Sequence, residues 1–217
     1  VSNITNILKS LIKSQRRSDS QLLEEYKDLV RPAPLLEQFQ SYINHQEPIY
    51  LSVLTSQKAF RIRVGTYRDI PAYLELEKKG YQGVLAWQMR DFIRDFRSNP
   101  YRIYLLLTWE HPKTHEEVIA GMISGRFLAR KAHISHLIVD PVYQNNGVGQ
   151  RLLTLWIDLM HKQDIPYCEL EVRISNASAI HLYEAYGFKK VQRLHQYYYN
   201  NYEDAWKMRR ENARDNI

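Results

Sequence analysis

The run Val139-Asp140-Pro141-Val142-Tyr143-Gln144-Asn145-Asn146-Gly147-Val148-Gly149-Gln150 holds the most specific chemistry in the sequence. A strand stops at Asp140-Pro141 and an apolar-periodic helix starts near Gly147. The first turn of a helix carries unpaired amide donors and a partial positive charge, so phosphate binds there readily. Two glycines let main chain approach an anion with no Cβ in the way. A tight strand-to-helix turn without a ligand has the same spacing. The third glycine of a dinucleotide fingerprint is missing, and no Gly-Lys-Ser/Thr follows to make a P-loop. Downstream, Glu169, Glu171 and Arg173 share one face of a strand. A carboxylate there can take a proton from an amine, or the row is simply solvated charge. Cys168 falls on the opposite strand face and reads as a small buried hydrophobe rather than a nucleophile. His133-x-x-His136 lacks the glutamate of the zinc-protease pattern. Strand alternation points its two rings to opposite faces, so no metal site is expected.

Elements that position these groups can be read from periodicity. Ile4, Ile7, Leu8, Leu11 and Ile12 form one helical stripe. Ser18-Asp19-Ser20 offers a cap for a second helix carrying Leu22, Leu23, Tyr26, Leu29 and Val30, which Pro32 and Pro34 break. A third helix is expected over 35–43. From about Ala59 the pattern changes. Phe60-Arg61-Ile62-Arg63-Val64 alternates as a half-buried strand, and Asp69 offers a cap for a helix carrying Ile70, Tyr73, Leu74 and Leu76. Another helix covers 87–96. Paired strands are expected over 103–108 and 118–126, joined by a polar loop, then a strand over 133–139 and a helix over 147–162. A strand over 167–173, a helix over 177–186 and two closing strands near 188–194 and 205–209 complete the pattern. The expected fold is α/β: a mixed, mostly antiparallel sheet with a β-α-β-α-β core and helices on both faces. Residues 1–57 form a helical N-terminal extension and residues 58–217 the main domain.

The chain has 217 residues, 44% apolar and 25% charged, which excludes wholesale disorder and fibrous repeats. No stretch reaches the ~18 apolar residues of a membrane span, and Val1 to Arg17 lacks the layout of a secretory signal. Cys168 is the single cysteine, so no internal disulfide framework exists. A cytoplasmic protein is expected. Residues 1–57 carry six basic and six acidic side chains, so the net charge of +6 lies wholly in 58–217. A basic body suits an anionic ligand; the uncharged balance of the extension argues against a nucleic-acid partner.

Taken in order, His136-Leu137-Ile138-Val139-Asp140-Pro141, the Gln144-x-x-Gly147-x-Gly149 spacing and Leu170-Glu171-Val172-Arg173-x-Ser175-Asn176-x-x-Ala179-x-x-Leu182-Tyr183-Glu184-x-Tyr186-Gly187-Phe188 resemble the GNAT superfamily of acetyl-CoA-dependent N-acetyltransferases. The closing Tyr198-Tyr199-Asn200-Asn201-Tyr202-Glu203-Asp204-Ala205-Trp206-Lys207-Met208 is similar to the branch that acetylates protein N-termini, most nearly the ribosomal-protein alanine type. The resemblance covers residues 59–210. It implies acetyl-CoA as co-substrate and no metal. It places Gln144, Asn145, Asn146, Gly147, Val148, Gly149 and Gln150 at the cofactor diphosphate, and Leu137, Ile138 and Val139 along the pantetheine arm. Asn176 is a further cofactor contact. It implies Glu171 as general base and Tyr183 as general acid in a direct ternary-complex transfer. Tyr198 and Tyr199 line the acceptor slot, with Tyr81 and Trp87 near it. Glu169 is the rival base. The family usually has a basic residue where Asn145 and Asn146 stand, a loss of ~1–2 kcal/mol of charge-assisted contact. The expected partner is an amino terminus of a protein, ribosomal in the resembling branch, with no membrane partner. A small amine, a lysine side chain, or a non-catalytic acetyl-CoA-binding module are the alternatives.

Overall fold

The computed structural model describes Glu24 and residues 30–53, 56–81 and 86–212. The two helices expected before residue 30 lie outside the described residues. The third is present as α1 (Pro34–Asn44), which starts on a proline and buries Leu36, Phe39 and Ile43. Strand β1 (Ile49–Val53) pairs antiparallel with β2 (Ser56–Val64), with Ile49 opposite Phe60. The sequence pattern did not signal β1, a five-residue strand directly after Pro48.

Helix α2 (Ile70–Gly80) follows a short turn over Tyr67–Asp69. Asp69 does not cap α2 as expected. Its carboxylate accepts from the Thr66 amide (2.7 Å) and hydroxyl (3.0 Å) one turn earlier, and Arg63 holds it at 2.8 Å. Helix α3 (Met89–Ser98) buries Phe92, Ile93 and Phe96 and opens on a Gln88/Asp91 capping box. Strands β3 (Arg102–Glu110), β4 (Glu117–Leu128) and β5 (Lys131–Val139) follow, then helix α4 (Val148–Lys162), β6 (Tyr167–Arg173), helix α5 (Ala177–Ala185), β7 (Lys189–Tyr198) and β8 (Glu203–Glu211).

The strands form one sheet in the order β1-β2-β3-β4-β5-β6-β8-β7, in which β5 and β6 alone run parallel. Helices α1, α4 and α5 pack on one face against Phe60, Ile62, Leu105, Leu107 and Phe127. Helices α2 and α3 cover the other through Tyr104, Leu106, Met122 and Ile138. Covering both faces explains why β3 is buried from Arg102 to Trp109 and shows no alternation.

Two irregularities shape the middle of the sheet. Strand β5 pairs with β6 only at Ala132–Cys168, His133–Glu169 and Ile134–Leu170. Beyond that, β5 stays with β4 as far as Val139 and β6 stays with β8 as far as Arg173, so the two strands part. At the same level the β4–β5 register slips: Ser124 faces His136, Gly125 faces Ile134, and Ser135 is the extra residue. Gly125 is required there, since a Cβ would lie 1.9 Å from the His133 carbonyl oxygen.

Candidate active site

The glycine turn leaves β5 through Asp140, whose carboxylate accepts from the Val142 amide at 3.0 Å and pairs with Lys79 at 2.9 Å. Tyr143 is buried, and its hydroxyl accepts from Trp109 Nε1 at 2.8 Å. Asn145 (φ 59°) and Gly147 (φ 80°) then bend the chain into α4 through left-handed backbone. Glycine and asparagine are the residues that take this conformation at least cost. Asn146 Nδ2 donates to the Gln144 carbonyl at 2.7 Å and Gln144 Nε2 to the Val139 carbonyl at 3.2 Å, tying the turn to the strand end. The first ladder bond of α4 runs from the Arg151 amide to Gly147. The amides of Val148, Gly149 and Gln150 therefore have no acceptor inside the helix. With left-handed Gly147 turning them outward, these free amides can hold a diphosphate.

The strand edge beside the cradle fits an extended arm. The Asp140 amide bonds to Ala120 on β4. By strand alternation Ile138 also turns its main chain to β4, while Leu137 and Val139 turn theirs to the gap left by β6. Asn176 caps α5, accepting from the Ala179 amide at 3.1 Å.

Across the gap, Glu171 sits on the β6 face away from Leu170 and Val172, and its side chain is 17% exposed. Its Oε2 lies 2.8 Å from His133 Nε2, and His133 Nδ1 lies 3.5 Å from Ser135 Oγ. Burial pushes the Glu171 carboxyl up, but the bond to His133 and the charge of Lys207 outweigh it and hold it below the usual range. Tyr183 on α5 is buried against Phe188, ring centroids 5.6 Å apart. Burial pushes its hydroxyl well above the usual phenol range, with Tyr198 adding to the effect. Tyr81, at the end of α2, is pushed up by burial, then by Tyr183, Glu77 and Tyr198, which puts these phenols in one cluster.

Glu169 is fully engaged elsewhere. Its side chain is 3% exposed, with Arg209, Lys207 and Lys131 at 2.6, 3.2 and 3.4 Å. Burial opposes ionisation, yet these cations hold its carboxyl at about 2. Cys168 is fully buried on the opposite sheet face, and burial pushes its thiol up to about 12. His133 and His136, in contrast to the expectation, lie on the same side. The extra residue at Ser135 resets the alternation between them, so His136 packs with Trp87 and Phe92 on the α2/α3 face. Among the described residues no group of histidine, cysteine or carboxylate side chains has the geometry to hold a metal ion.

Tyr198 stacks under Arg173, 3.7 Å from guanidinium to ring centroid, while Tyr199 is 89% exposed at the β7–β8 turn. Arg173 also bonds Glu203 (2.9 Å), Asn201 (3.1 Å) and Asn200 (3.0 Å), so it clamps that turn beside Glu171. Trp87 contributes packing: its amide donates to Glu77 Oε2 at 3.0 Å and its ring meets Phe92 and His136. Three residues escaped the sequence reading. Arg173 had the tyrosine-rich turn as its only signal. His133 enters the sequence reading only in the metal pattern with His136, not beside Glu171. Glu77, buried at 0% exposure, had no local signal at all.

An open strand edge that runs into a set of free helix amides, with Glu171 beside it, is an arrangement that can hold an extended, phosphate-bearing carrier. The chain belongs to the GNAT acetyltransferase family, whose model matches residues 70–188. It is an N-acetyltransferase, with acetyl-CoA as co-substrate. The [ribosomal protein bS18]-alanine N-acetyltransferase of Escherichia coli is 32% identical over 130 residues, 60% of this chain and 81% of the relative. N-alpha-acetyltransferase 30 of Saccharomyces cerevisiae is 30% identical over 91 residues, 42% of this chain and 51% of that protein. The crystal structure of the E. coli ribosomal-protein-S18-alanine N-acetyltransferase superposes with a TM-score of 0.61 at 27% identity, covering 73% of this chain and 98% of the other. Arabidopsis thaliana NAA60 in complex with acetyl-CoA shares the fold, with a TM-score of 0.61 at 17% identity over 70% of this chain and 98% of that one. No helix among the described residues is long and apolar enough to cross a membrane.

Proposed function

We propose that this enzyme acetylates the α-amine of protein N-termini, with an alanyl terminus of ribosomal type as its acceptor, in the cytoplasm. The observation that supports this reading best is the open β5–β6 edge beside Glu171, next to a turn where Arg173 holds Tyr198 at 3.7 Å. An α-amine ionises near ~8 and a lysine near ~10.4, so the terminus yields its proton far more cheaply at neutral pH. The E. coli relative named [ribosomal protein bS18]-alanine N-acetyltransferase supports the same acceptor.

In this reading the amides from Asn145 to Gln150 hold the diphosphate, helped by Gln144. The main chain of Leu137 to Val139 aligns the pantetheine arm, and Asn176 adds an amide contact. Bound acetyl-CoA supplies the acetyl carbonyl and a thiol leaving group. Glu171 takes the proton from the acceptor ammonium. Tyr183, kept protonated by burial, delivers its hydroxyl proton to the departing sulfur. Tyr198, fixed by Arg173, and Tyr199 at the rim bound the acceptor's first residues. Residues 1–57 precede the 58–217 acetyltransferase domain, and α1 and β1 from this segment pack into its core and sheet.

A panel tests the assignment: an alanyl peptide with a free terminus, the same peptide N-blocked and carrying lysine, spermidine, and an aminoglycoside. Thiol release and product mass are read for each. Acetylation of the free terminus alone is expected. Acetylation confined to lysine or the small amines refutes the acceptor, and acetyl-CoA binding without turnover on any amine refutes the enzyme reading.

A further inference from the structure

Glu171 meets the substrate gap with one oxygen already engaged. Its Oε2 lies 2.8 Å from His133 Nε2, and both side chains are largely shielded, at 17% and 15% exposure. A carboxylate and a bare ring nitrogen would repel at that distance, so the contact requires a proton on Nε2, donated to Oε2. His133 reaches this position because it pairs with Glu169 in the last parallel stretch before β5 and β6 part, which puts its ring on the face that Glu169 and Glu171 share. We propose that His133 is the positioning residue of the proton acceptor: its Nε2–H bond fixes Oε2 and leaves Oε1 aimed at the acceptor ammonium. The inference rests on Glu171 being the base.

The other groups facing this pair are Arg126 across on β4, Lys131 and Ser135 on its own strand, Glu169 on β6, Lys207 on β8 and Tyr197 on β7. Glu169 is consumed by its three cations, which leaves Glu171 as the carboxylate that His133 holds.

Two variants separate positioning from bulk structure. His133→Gln places an amide N–H where Nε2 stands; His133→Ala removes the donor. With acetyl-CoA and an alanyl peptide, His133→Ala is expected to lose about 10–100-fold in kcat at every pH, the scale of a misaimed reacting group. His133→Gln is expected to recover most of that loss, because its amide N–H restores the donor to Oε2. Acetyl-CoA affinity by calorimetry should stay within about threefold in both, since Glu171 is remote from the phosphate cradle. His133→Ala with near wild-type kcat overturns the inference, as does failure of glutamine to restore any activity, or a collapse of acetyl-CoA affinity in both variants. Glu171→Gln is the control: full activity there, or no wild-type turnover of any free terminus, overturns the base assignment itself. A dead Glu171→Gln beside a fully active His133→Ala overturns the inference alone.

Discussion

Tyr183→Phe tests the acid role with little structural side effect. The ring that packs on Phe188 at 5.6 Å is retained, and no hydrogen bond among the described residues contributes to the hydroxyl's environment. Folding stability should therefore change by less than ~1 kcal/mol, a shift in melting temperature of at most about 4 °C for a chain of this size. Catalysis loses much more. Burial keeps the phenol protonated at neutral pH, so it carries a proton to give, and general acid catalysis contributes about 10²–10⁴-fold. At ~1.4 kcal/mol per decade this is ~3–5 kcal/mol of barrier. The assay is steady-state thiol release with acetyl-CoA and an alanyl peptide, beside calorimetry for acetyl-CoA and a thermal melt. The loss should fall on kcat, with acetyl-CoA affinity nearly unchanged. It should shrink with an acetyl thioester of a more acidic thiol, because a better leaving group needs less protonation. A kcat within threefold of wild type, or a loss independent of the leaving thiol, refutes the role.

Other residues give further tests. Cys168, buried with its thiol pushed up to about 12, should resist iodoacetamide at pH 8 in the native protein, and Cys168→Ala should keep at least half the wild-type kcat; strong loss would revive a covalent route. Glu169 ionises at about 2 in the fold against 4.5 ordinarily. Its stabilising contribution is therefore complete above pH ~4.5 and fades as pH falls through 2; discounted for solvent screening it is ~1–2 kcal/mol. Urea melts should show Glu169→Gln less stable than wild type by that amount at pH 7 and the gap closing toward pH 2, and equal stability at pH 7 counts against the cation cluster. Glu77 is fully buried, accepts from the Trp87 amide, and lies 3.0 Å from His136 Nε2 without the alignment of a hydrogen bond. Glu77→Ala should cost ~3–5 kcal/mol, read as a fall of roughly 6–20 °C in melting temperature; a loss under 3 °C would show that the carboxylate does not tie α2 to α3.

Most of the order of elements was legible because it is written in short-range pattern. The glycine turn was visible as a stop in a strand, a polar run and a new period, and it appears as two left-handed residues leading into α4. Phe60 to Val64 alternated and became part of β2. Where local signals compete, the reading slipped. Asp69 offers the same cap chemistry to α2 and to the turn before it, and Arg63 from β2 settles the contest in favour of the earlier turn. No window of sequence around Asp69 contains Arg63's orientation.

The acceptor side was less legible than the cofactor side for a physical reason. A diphosphate cradle is built from main-chain amides on consecutive residues, so its makers are neighbours in sequence as well as in space. The proton-handling side is assembled across β5, β6, α5 and the β7–β8 turn, and each contact depends on register. The parallel pairing of His133 with Glu169 sets its ring beside Glu171, and one extra residue at Ser135 turns His136 to Glu77 and Ser124 on the same side. The periodicity of Lys131 to Val139 alone, a period of two throughout, assigns those two rings to opposite faces. The slip lies at the level where β5 and β6 part, and Gly125 is the residue that permits it, because any Cβ there would meet the His133 carbonyl.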